Sequence, residues 1–442
     1  MRPSILLLSQ ASLRRTFLSR PQLKSSSFML QSSPIKFLYT TMSSDMSSPL
    51  IFTNTSFEII DPSEKLEEET IPLYNPENYY PAHIGQVLVD RYQIVGKLGY
   101  GVTSTVWFGR DLQESRYVSL KICTASSRRN NEIDIYKQLD SVASKTDHVG
   151  QTLYRQLYDS FEIIAPHGTS HTCLVHQPLG LSMSQVVDLH RSRLLSTDVL
   201  KPVLRQLLVG LDFLHVADVV HTDIQPKNLL LEIKDDAVFR LFEEAELNEP
   251  APRKILNDRI IYMTRRIPGL KTLPILTDFG EARLMSKPQP NKLIMPHHYR
   301  APEVILQMEW NNKVDIWSIA ALSWNFVSSR YLFPARISED WDIYEPDRIA
   351  EMVAIMGPPP KEFLKRSDVC NIFWDEDGRW KDTCPIPNIT LDSLAKDIKG
   401  DDRDGFLTFL GKILRWLPEE RPTAGELVYD EWLMKGLGEK NG

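Results

Sequence analysis

The chain has 442 residues, of which 42% are hydrophobic and 25% are charged. It can therefore bury a sizeable core, which excludes a fibrous or wholly disordered protein. Its formal net charge is −7, but six Lys and Arg residues and no acidic residue precede Asp45, which leaves −13 for the rest. An acidic body disfavours direct binding of nucleic acid and favours a basic partner.

Other bulk features predict an intracellular protein that does not enter a membrane. The best apolar stretch, around residues 316–327, falls short of the roughly 20 residues that cross a bilayer. Four cysteines lie far apart, without the spacing of metal or thiol-redox motifs. We expect a reduced monomer of the cytoplasm and nucleus.

Residues 1–75 are predicted to form a disordered or loosely attached extension, because they are rich in Ser, Thr and Pro and end in an acidic run. Within it, residues 1–41 have the Arg- and Ser-rich, acid-free composition of a mitochondrial transit peptide. The alternative is an upstream extension that is seldom translated, because Met42 opens a polar segment. Only the first reading places the protein in mitochondria.

The rest of the sequence divides into a β-rich part and a mainly helical part. From 76 to 179, β-rich runs at 92–98, 104–108 and 117–122 predict an antiparallel meander, with a helix near 131–139. From 180 to 435 the pattern is mainly helical, with polar insertions near 234–271 and 330–396; one buried helix face is predicted from Val203, Leu207, Leu208, Leu211 and Leu214. This order predicts an α+β fold of two lobes with a cleft between them.

A glycine turn joins the first two predicted strands. It comprises Leu98, Gly99, Tyr100, Gly101, Val102, Thr103, Ser104, Thr105 and Val106. Glycines without Cβ atoms let backbone amides close over phosphates, so these residues are candidate nucleotide ligands. The turn alone is weak evidence, because Ser104 occupies the third glycine position. Lys121 on the next strand is placed to reach the α- and β-phosphates, and Glu132 to orient it.

Three polar residues further along the chain predict phosphoryl transfer. Asp223, within His221–Asn228, would accept or orient the proton of a substrate hydroxyl. Asn228 and Asp278 supply hard oxygen ligands, which suit Mg²⁺ bridging the phosphate oxygens of ATP. An Asp-Phe-Gly triplet recurs by chance, but its combination with the Asn228 loop and the strand before it is specific.

These motifs resemble those of eukaryotic protein kinases over about residues 80–433, and within them the SR-protein-specific kinases. The closer resemblance rests on the segments 80–85 (YPAHIG), 104–107 (STVW) and His221-Thr222-Asp223. The segments 299–303 (YRAPE) and 347–352 (DRIAEM) with 355–358 (IMGP) resemble the wider kinase group to which that family belongs. The resemblance implies a two-lobed kinase fold, ATP and Mg²⁺ as cofactors, and a serine/threonine protein kinase that acts on arginine/serine-rich segments.

The resemblance also implies roles for residues outside these motifs. His176 would guard the back of the adenine pocket, while Gln177 and Leu179 offer backbone hydrogen bonds to adenine. The base would be sandwiched by Val106, Ser119 and Leu230. An internal column would align the lobes through Tyr136, His221, Phe279 and Asp315, and Arg421 would pair with Glu303.

Two departures from the kinase pattern affect the expected mechanism. Thr222 removes the arginine that would bind a phosphorylated activation segment, so we expect a segment that is competent without phosphorylation. Gln225 replaces the catalytic-loop lysine, whose charge is worth about 2–4 kcal/mol in a desolvated site. Its loss predicts about 10- to 1000-fold slowing rather than abolition. The alternative is a pseudokinase that binds nucleotide or a basic partner without useful turnover.

Acidic clusters suggest where a basic substrate would bind. The larger cluster comprises Glu339, Asp340, Asp342, Glu345 and Asp347, and a smaller one comprises Asp375, Glu376 and Asp377. Either cluster can instead be an ordinary solvated face. The functional reading gains from the acidic body, which would steer arginine-rich substrates in a salt-dependent way. A small-molecule phosphotransferase is disfavoured by Ala301-Pro302-Glu303.

Overall fold

A computed structural model describes residues 46–125, 130–268, 272–287, 289, 293–334, 346–398 and 402–437. The smaller lobe is built on a six-stranded antiparallel sheet in the order β1-β2-β3-β4-β6-β5. Its strands are β1 (Val87–Leu88), β2 (Tyr92–Gly101), β3 (Ser104–Asp111), β4 (Arg116–Cys123), β5 (Leu157–Ile164) and β6 (Ser170–His176). One helix, α1 (Asn130–Ala143), connects β4 to β5.

The larger lobe is mainly helical, as predicted. Its elements are α2 (Met183–Leu189), α3 (Thr197–Val216), β7 (Val219–Val220), β8 (Leu229–Leu231), α4 (Ala237–Asn248), β9 (Arg253–Ile255), β10 (Ile260–Tyr262), β11 (Pro274–Leu276), β12 (Arg283–Leu284), α5 (Pro302–Ile305), α6 (Lys313–Val327), α7 (Pro346–Met356), α8 (Lys361–Leu364), α9 (Leu391–Leu394), α10 (Arg403–Ile413), α11 (Ala424–Val428) and α12 (Glu431–Met434).

Two long helices form the centre of the larger lobe. The apolar face predicted for α3 is buried, including Leu207, Leu208 and Leu211. In α6 almost every side chain is buried, Trp317 among them, as expected of a helix that is apolar all round. The paired strands β8 and β11 lie at the top of this lobe, where they position the catalytic residues.

The insertion that follows β8 packs against the smaller lobe, although it was assigned to the larger one. The ring of Phe242 on α4 lies 4.7 Å from that of Phe108 on β3. A Cβ atom at Gly96 would come within 2.8 Å of Phe242, so only glycine fits beneath that ring. The insertion therefore covers the outer face of the β-sheet. Without this cover, aromatic side chains of the sheet would be exposed to water.

The segment 46–75 is ordered, which corrects the prediction of a loosely attached extension up to residue 75. Leu50 exchanges two hydrogen bonds of 2.8 Å with the Gln93 side chain. Glu69 accepts hydrogen bonds of 2.9 Å from Lys254 in the insertion, and Glu68 pairs with the buried Lys97 of β2. The acidic run is thus neutralised by buried lysines, a pairing that composition does not reveal. Residues 1–45, with the predicted transit peptide, lie outside the described residues.

None of the described helices is long and apolar enough to cross a membrane. None of the four cysteines forms a disulfide, and three of them are buried.

Candidate active site

A cleft of about 490 Å³ separates the two lobes, and its walls carry most of the predicted site residues. Lys121 on β4 donates to both carboxylate oxygens of Glu132 on α1, at 2.9 and 3.1 Å. Its Nζ also lies 2.8 Å from Oδ1 of Asp278. Lys121 and Glu132 are 6% and 1% exposed, so a charged group is held at a fixed point in the cleft without solvent screening.

The glycine turn forms the roof of this cleft. Strands β2 and β3 pair up to Gly101 and Ser104, which leaves Val102 and Thr103 at the tip. The Tyr79 hydroxyl donates to the Gly101 carbonyl at 3.1 Å and so supports the turn from the N-terminal side. Eight of the nine predicted residues line the cleft.

Three predicted nucleotide contacts do not line the cleft. Ser119, expected to pack against the base, is fully buried within β4. Thr105 is the ninth member of the turn; it is buried and accepts a hydrogen bond of 2.9 Å from the Trp107 indole, because successive side chains of a strand point to opposite faces. Gln177 uses its main chain within the protein: its N–H donates to Gln156 at 3.2 Å and its carbonyl accepts from Arg155 at 3.0 Å. Leu179 and Leu230 do line the cleft.

The catalytic loop presents Asp223 at the floor of the cleft, between two amides. Asn228 Nδ2 donates to Oδ2 and to the main-chain carbonyl of Asp223, at 2.7 and 2.9 Å. Gln225 Nε2 donates to the other carboxylate oxygen, Oδ1, at 2.5 Å. Gln225 is therefore hydrogen-bonded to the carboxylate that would receive the substrate proton. It also lacks the positive charge that a lysine would bring.

Lys227, rather than Gln225, lines the cleft. Its side chain is exposed and follows the catalytic aspartate by four positions. A cation at this point can approach a phosphate group that enters from the roof. The sequence showed a lysine nearby but did not place it in the cleft.

Asn228 and Asp278 both line the cleft. Their side-chain oxygen atoms are suitable ligands for a divalent cation. Because Asn228 Nδ2 donates to Asp223, its amide carbonyl oxygen is the atom turned towards a ligand. Asp278 is 41% exposed at its side chain and adopts the left-handed region, with φ of 64°. A non-glycine residue held there is strained, which is common where a side chain must be aimed at a ligand. These hard oxygen atoms suit Mg²⁺.

The predicted internal column is present. The Phe279 ring lies 5.2 Å from that of Tyr136 on α1 and 5.3 Å from that of His221. Asp315 on α6 accepts the main-chain N–H of His221 at 2.8 Å. The column therefore joins α1, the segment after β11 and α6, which fixes both lobes around the cleft.

The segment after Asp278 is anchored without a phosphate group. The Thr222 hydroxyl donates to the Glu281 carbonyl at 2.7 Å, and Asn131 of α1 donates to the Ala282 carbonyl at 2.7 Å. Thr222 thus bonds directly to the segment that an arginine would otherwise reach through a phosphate. This arrangement holds α1 inward, the position in which Glu132 meets Lys121.

A second predicted pair supports the larger lobe. Arg421 donates to both carboxylate oxygens of Glu303 at 2.7 Å, and both side chains are essentially fully buried. This bidentate geometry is the strong form of an Arg–carboxylate pair.

Comparison with known proteins agrees with this geometry. The family model described as "Protein kinase domain" matches residues 92–433. The chain belongs to the protein kinase family. A serine/threonine protein kinase of Aspergillus fumigatus is 40% identical over 394 residues, covering 88% of this chain and 96% of the relative. A serine/threonine-protein kinase SRPK of Physarum polycephalum is 26% identical over 397 residues, covering 84% and 91%.

Further matches agree with this assignment. SRSF protein kinase 3 of Mus musculus is 23% identical over 521 residues, covering 84% of this chain and 91% of the relative. The crystal structure of the PF14_0431 kinase domain superposes with a TM-score of 0.60 at 20% identity, covering 81% of this chain and all of that one. The kinase is therefore a protein serine/threonine kinase that resembles the SR-protein kinases. Protein kinases use ATP and Mg²⁺, which the cleft described above suits.

The predicted acidic substrate surface is described only in part. Glu339, Asp340, Asp342 and Glu345 lie outside the described residues, whereas Asp347 lies in the first turn of α7. In the smaller cluster, Arg379 lies 2.5 Å from Asp377 and its N–H donates to Asp375 at 2.8 Å. Arg379 thus neutralises part of the negative charge of the smaller cluster. This favours the interpretation that the cluster is an ordinary solvated turn and not a substrate-binding surface.

Proposed function

We propose that this kinase transfers the γ-phosphate of ATP to serine in arginine-rich protein segments. The observation that carries the transfer step is the assembled set of Lys121, Glu132 and Asp278 above Asp223. A charge-bearing ion pair, a cation site and a carboxylate base are the parts that phosphoryl transfer requires. All of them face one cleft.

Two observations support an arginine-rich substrate: the negative net charge of this chain and the names of its relatives. The body after residue 44 carries a formal charge of −13 once the six N-terminal cations are removed from −7, so it attracts basic peptides over a Debye length of about 8 Å at physiological salt. Relatives bear the names SRPK and SRSF protein kinase. We propose that such basic segments are this chain's protein partners, that it acts as a monomer, and that it binds neither nucleic acid nor membranes.

The alternative function is a weakly active or inactive nucleotide-binding scaffold. One observation favours it: Gln225 donates to Asp223 Oδ1, so that oxygen is already engaged in a hydrogen bond where a substrate hydroxyl would have to approach. The two functions differ in turnover, not in nucleotide binding. We propose location in the cytoplasm and nucleus, with mitochondria as the alternative if residues 1–41 act as a transit peptide; a fluorescent reporter fused to residues 1–44 distinguishes these.

Phosphate incorporation into three peptides of equal length tests the substrate proposal. Their repeats are Arg-Ser, Lys-Ser and Gly-Ser, and each is assayed with Mg²⁺ and labelled ATP. The Arg-Ser peptide is expected to react fastest, the Gly-Ser peptide slowest, and added salt to lower the rate on both basic peptides. Equal rates on Arg-Ser and Gly-Ser peptides would contradict the substrate class, whereas no incorporation into any protein substrate would favour the scaffold.

A further inference from the structure

The cleft ends, behind the predicted adenine position, in a wall of polar side chains. We call this the rear wall; it consists of Tyr136 on α1, Arg155 just before β5 and His176 at the end of β6. These side chains belong to residues that are 1%, 8% and 1% exposed. Apolar side chains are the low-cost lining of such a site, and buried polar groups need partners.

Arg155 is anchored by main-chain groups but forms no direct ion pair with a described carboxylate. Its Nε donates to the Gln177 carbonyl at 3.0 Å, and its main-chain N–H donates to Leu276 at 2.8 Å. These bonds fix the stem of the side chain. Within the described part of the chain, neither Nη atom has a hydrogen-bond partner and no carboxylate forms an ion pair with Arg155. Burial lowers the pKa of Arg155 from its ordinary value, whereas the nearby Tyr136, Glu132 and Asp278 act in the opposite direction. A buried cation without a directly paired anion is costly.

The carboxylates nearest to Arg155 are already engaged. Both oxygens of Glu132 accept from Lys121, and Oδ1 of Asp278 lies 2.8 Å from the same ammonium group. Drawing Glu132 towards Arg155 would break the ion pair on which the nucleotide site is built. Glu132 and Asp278 therefore act on Arg155 only through longer-range charge interactions, and a ligand could supply the directly paired anion.

The other two members of the rear wall complete the site. The Tyr136 hydroxyl is fully buried and finds no acceptor among the described residues. Burial raises its pKa well above the ordinary value, so it stays a hydrogen-bond donor. His176 directs Nδ1 at the Gln156 carbonyl, 3.2 Å away. Burial, then the charges of Arg155 and Lys121, lower the pKa of His176 well below its ordinary value, so the imidazole is neutral and adds no second charge.

We propose that the rear wall is an anion subsite, in which the guanidinium of Arg155 and the hydroxyl of Tyr136 bind a carboxylate carried by a planar heteroaromatic ligand seated at the adenine position. The amino group of adenine is a donor and cannot pair with these two donors, so ATP leaves the subsite unused. The guanidinium fork matches a carboxylate in geometry as well as charge. The subsite depends on the shape of the cleft and not on phosphoryl transfer, so its failure and that of the proposed function are separable.

Isothermal titration calorimetry on the full chain tests the subsite with three matched probes. These are purine-6-carboxylate, purine-6-carboxamide and 6-methylpurine, which differ only at the edge that faces the rear wall. A charge-assisted hydrogen bond predicts that the carboxylate binds about 10- to 100-fold more tightly than 6-methylpurine, with the carboxamide between them. Equal affinities, or no measurable binding of the carboxylate, overturn the proposal.

Variants assign that preference to the rear wall. Arg155→Met is expected to abolish the carboxylate preference, Arg155→Lys to keep part of it, and Tyr136→Phe to lower it several-fold. The exposed Arg240 on α4 supplies the matched control, because Arg240→Met removes the same charge far from the rear wall and should preserve the preference. Near-ultraviolet circular dichroism checks the fold of each variant. A preference that survives in folded Arg155→Met, or is lost in Arg240→Met, overturns the proposal.

Discussion

The roof and the floor of the active-site cleft differ in whether they carry the charged residues that phosphoryl transfer requires. On the roof side, the buried pair of Lys121 and Glu132 forms a network with the partly exposed Asp278, with distances of 2.8–3.1 Å. On the floor side, an amide stands at Gln225 where a cation is expected, and it donates to the catalytic carboxylate. Binding and transfer therefore depend on different walls, and only the wall for transfer is altered.

This difference separates affinity from rate. Interactions made equally in ground and transition states set nucleotide affinity, whereas a charge needed only as phosphate moves sets the rate of transfer. The roof side predicts ordinary binding of MgATP, and the floor side predicts slow turnover. The substitutions of Asp223, Lys227 and Gln225 below change the floor side and leave the roof side as it is.

The largest effect is expected at the carboxylate itself. Asp223→Ala should lower kcat by about 10²- to 10⁴-fold, because a positioned base contributes that much to proton transfer. ADP affinity, measured by calorimetry, should change little, since Asp223 lies on the floor side. Asp134→Ala on the exposed face of α1 is the matched control. A wild-type rate no higher than that of Asp223→Ala would assign the chain to inactive scaffolds.

Lys227 is expected to supply part of the missing floor-side charge. Lys227→Met should lower kcat by about 10-fold, a fraction of what an oriented cation contributes in a desolvated site. The loss should be smaller in a Gln225→Lys background, where a second cation is present. Steady-state kinetics on the four variants of this cycle give the coupling, with the exposed Lys234→Met as the control. Equal losses in both backgrounds would remove Lys227 from the transfer step.

Thr222 should matter several-fold, through the position of α1. Thr222→Val removes the donor to the Glu281 carbonyl and leaves a partly buried acceptor unpaired, at a cost of about 1–3 kcal/mol. The segment 279–284 should then exchange its amide hydrogens faster and kcat should fall. Thr222→Ser keeps the hydroxyl and should behave as wild type. Unchanged exchange in Thr222→Val would show that another contact holds the segment.

The smallest effect is a pH dependence of stability. The pKa of His176 is lowered in the folded state by burial, then by Arg155 and Lys121. Below about pH 6.5 the unfolded chain therefore binds a proton that the folded chain does not, so stability falls as pH falls, by about 1.4 kcal/mol per unit for each such histidine. His171 and His298 contribute in the same direction. Denaturant unfolding between pH 7 and 5 should show a shallower slope for His176→Gln, and an unchanged slope would contradict the neutral imidazole.

Several tertiary contacts could be predicted through the resemblance to protein kinases. The resemblance implied the column of Tyr136, Phe279 and His221 and the pair of Arg421 with Glu303, and these residues lie in contact. The two-lobed fold was predicted from the change along the chain from a β-strand pattern to a helical pattern of apolar residues.

Other contacts between segments that are distant in sequence could not be read in the same way. The amphipathic pattern of α4 does not say which lobe the helix covers, and Phe242 meets Phe108 only once the lobes are assembled. Arg155 is a single charged residue between Tyr154 and Gln156, and only tertiary packing buries it behind the cleft. The neutralisation of Glu68 by Lys97 similarly depends on tertiary packing.

A single-turnover rapid-quench experiment tests the separation of binding from transfer most directly. Wild type and Gln225→Lys are each mixed in excess with labelled MgATP and an Arg-Ser peptide, and ADP affinity is measured alongside. Restoring the floor-side charge should raise the transfer rate by about 10- to 1000-fold while ADP affinity stays within about 3-fold of wild type. An unchanged transfer rate, or a rise matched by tighter ADP binding, would contradict it.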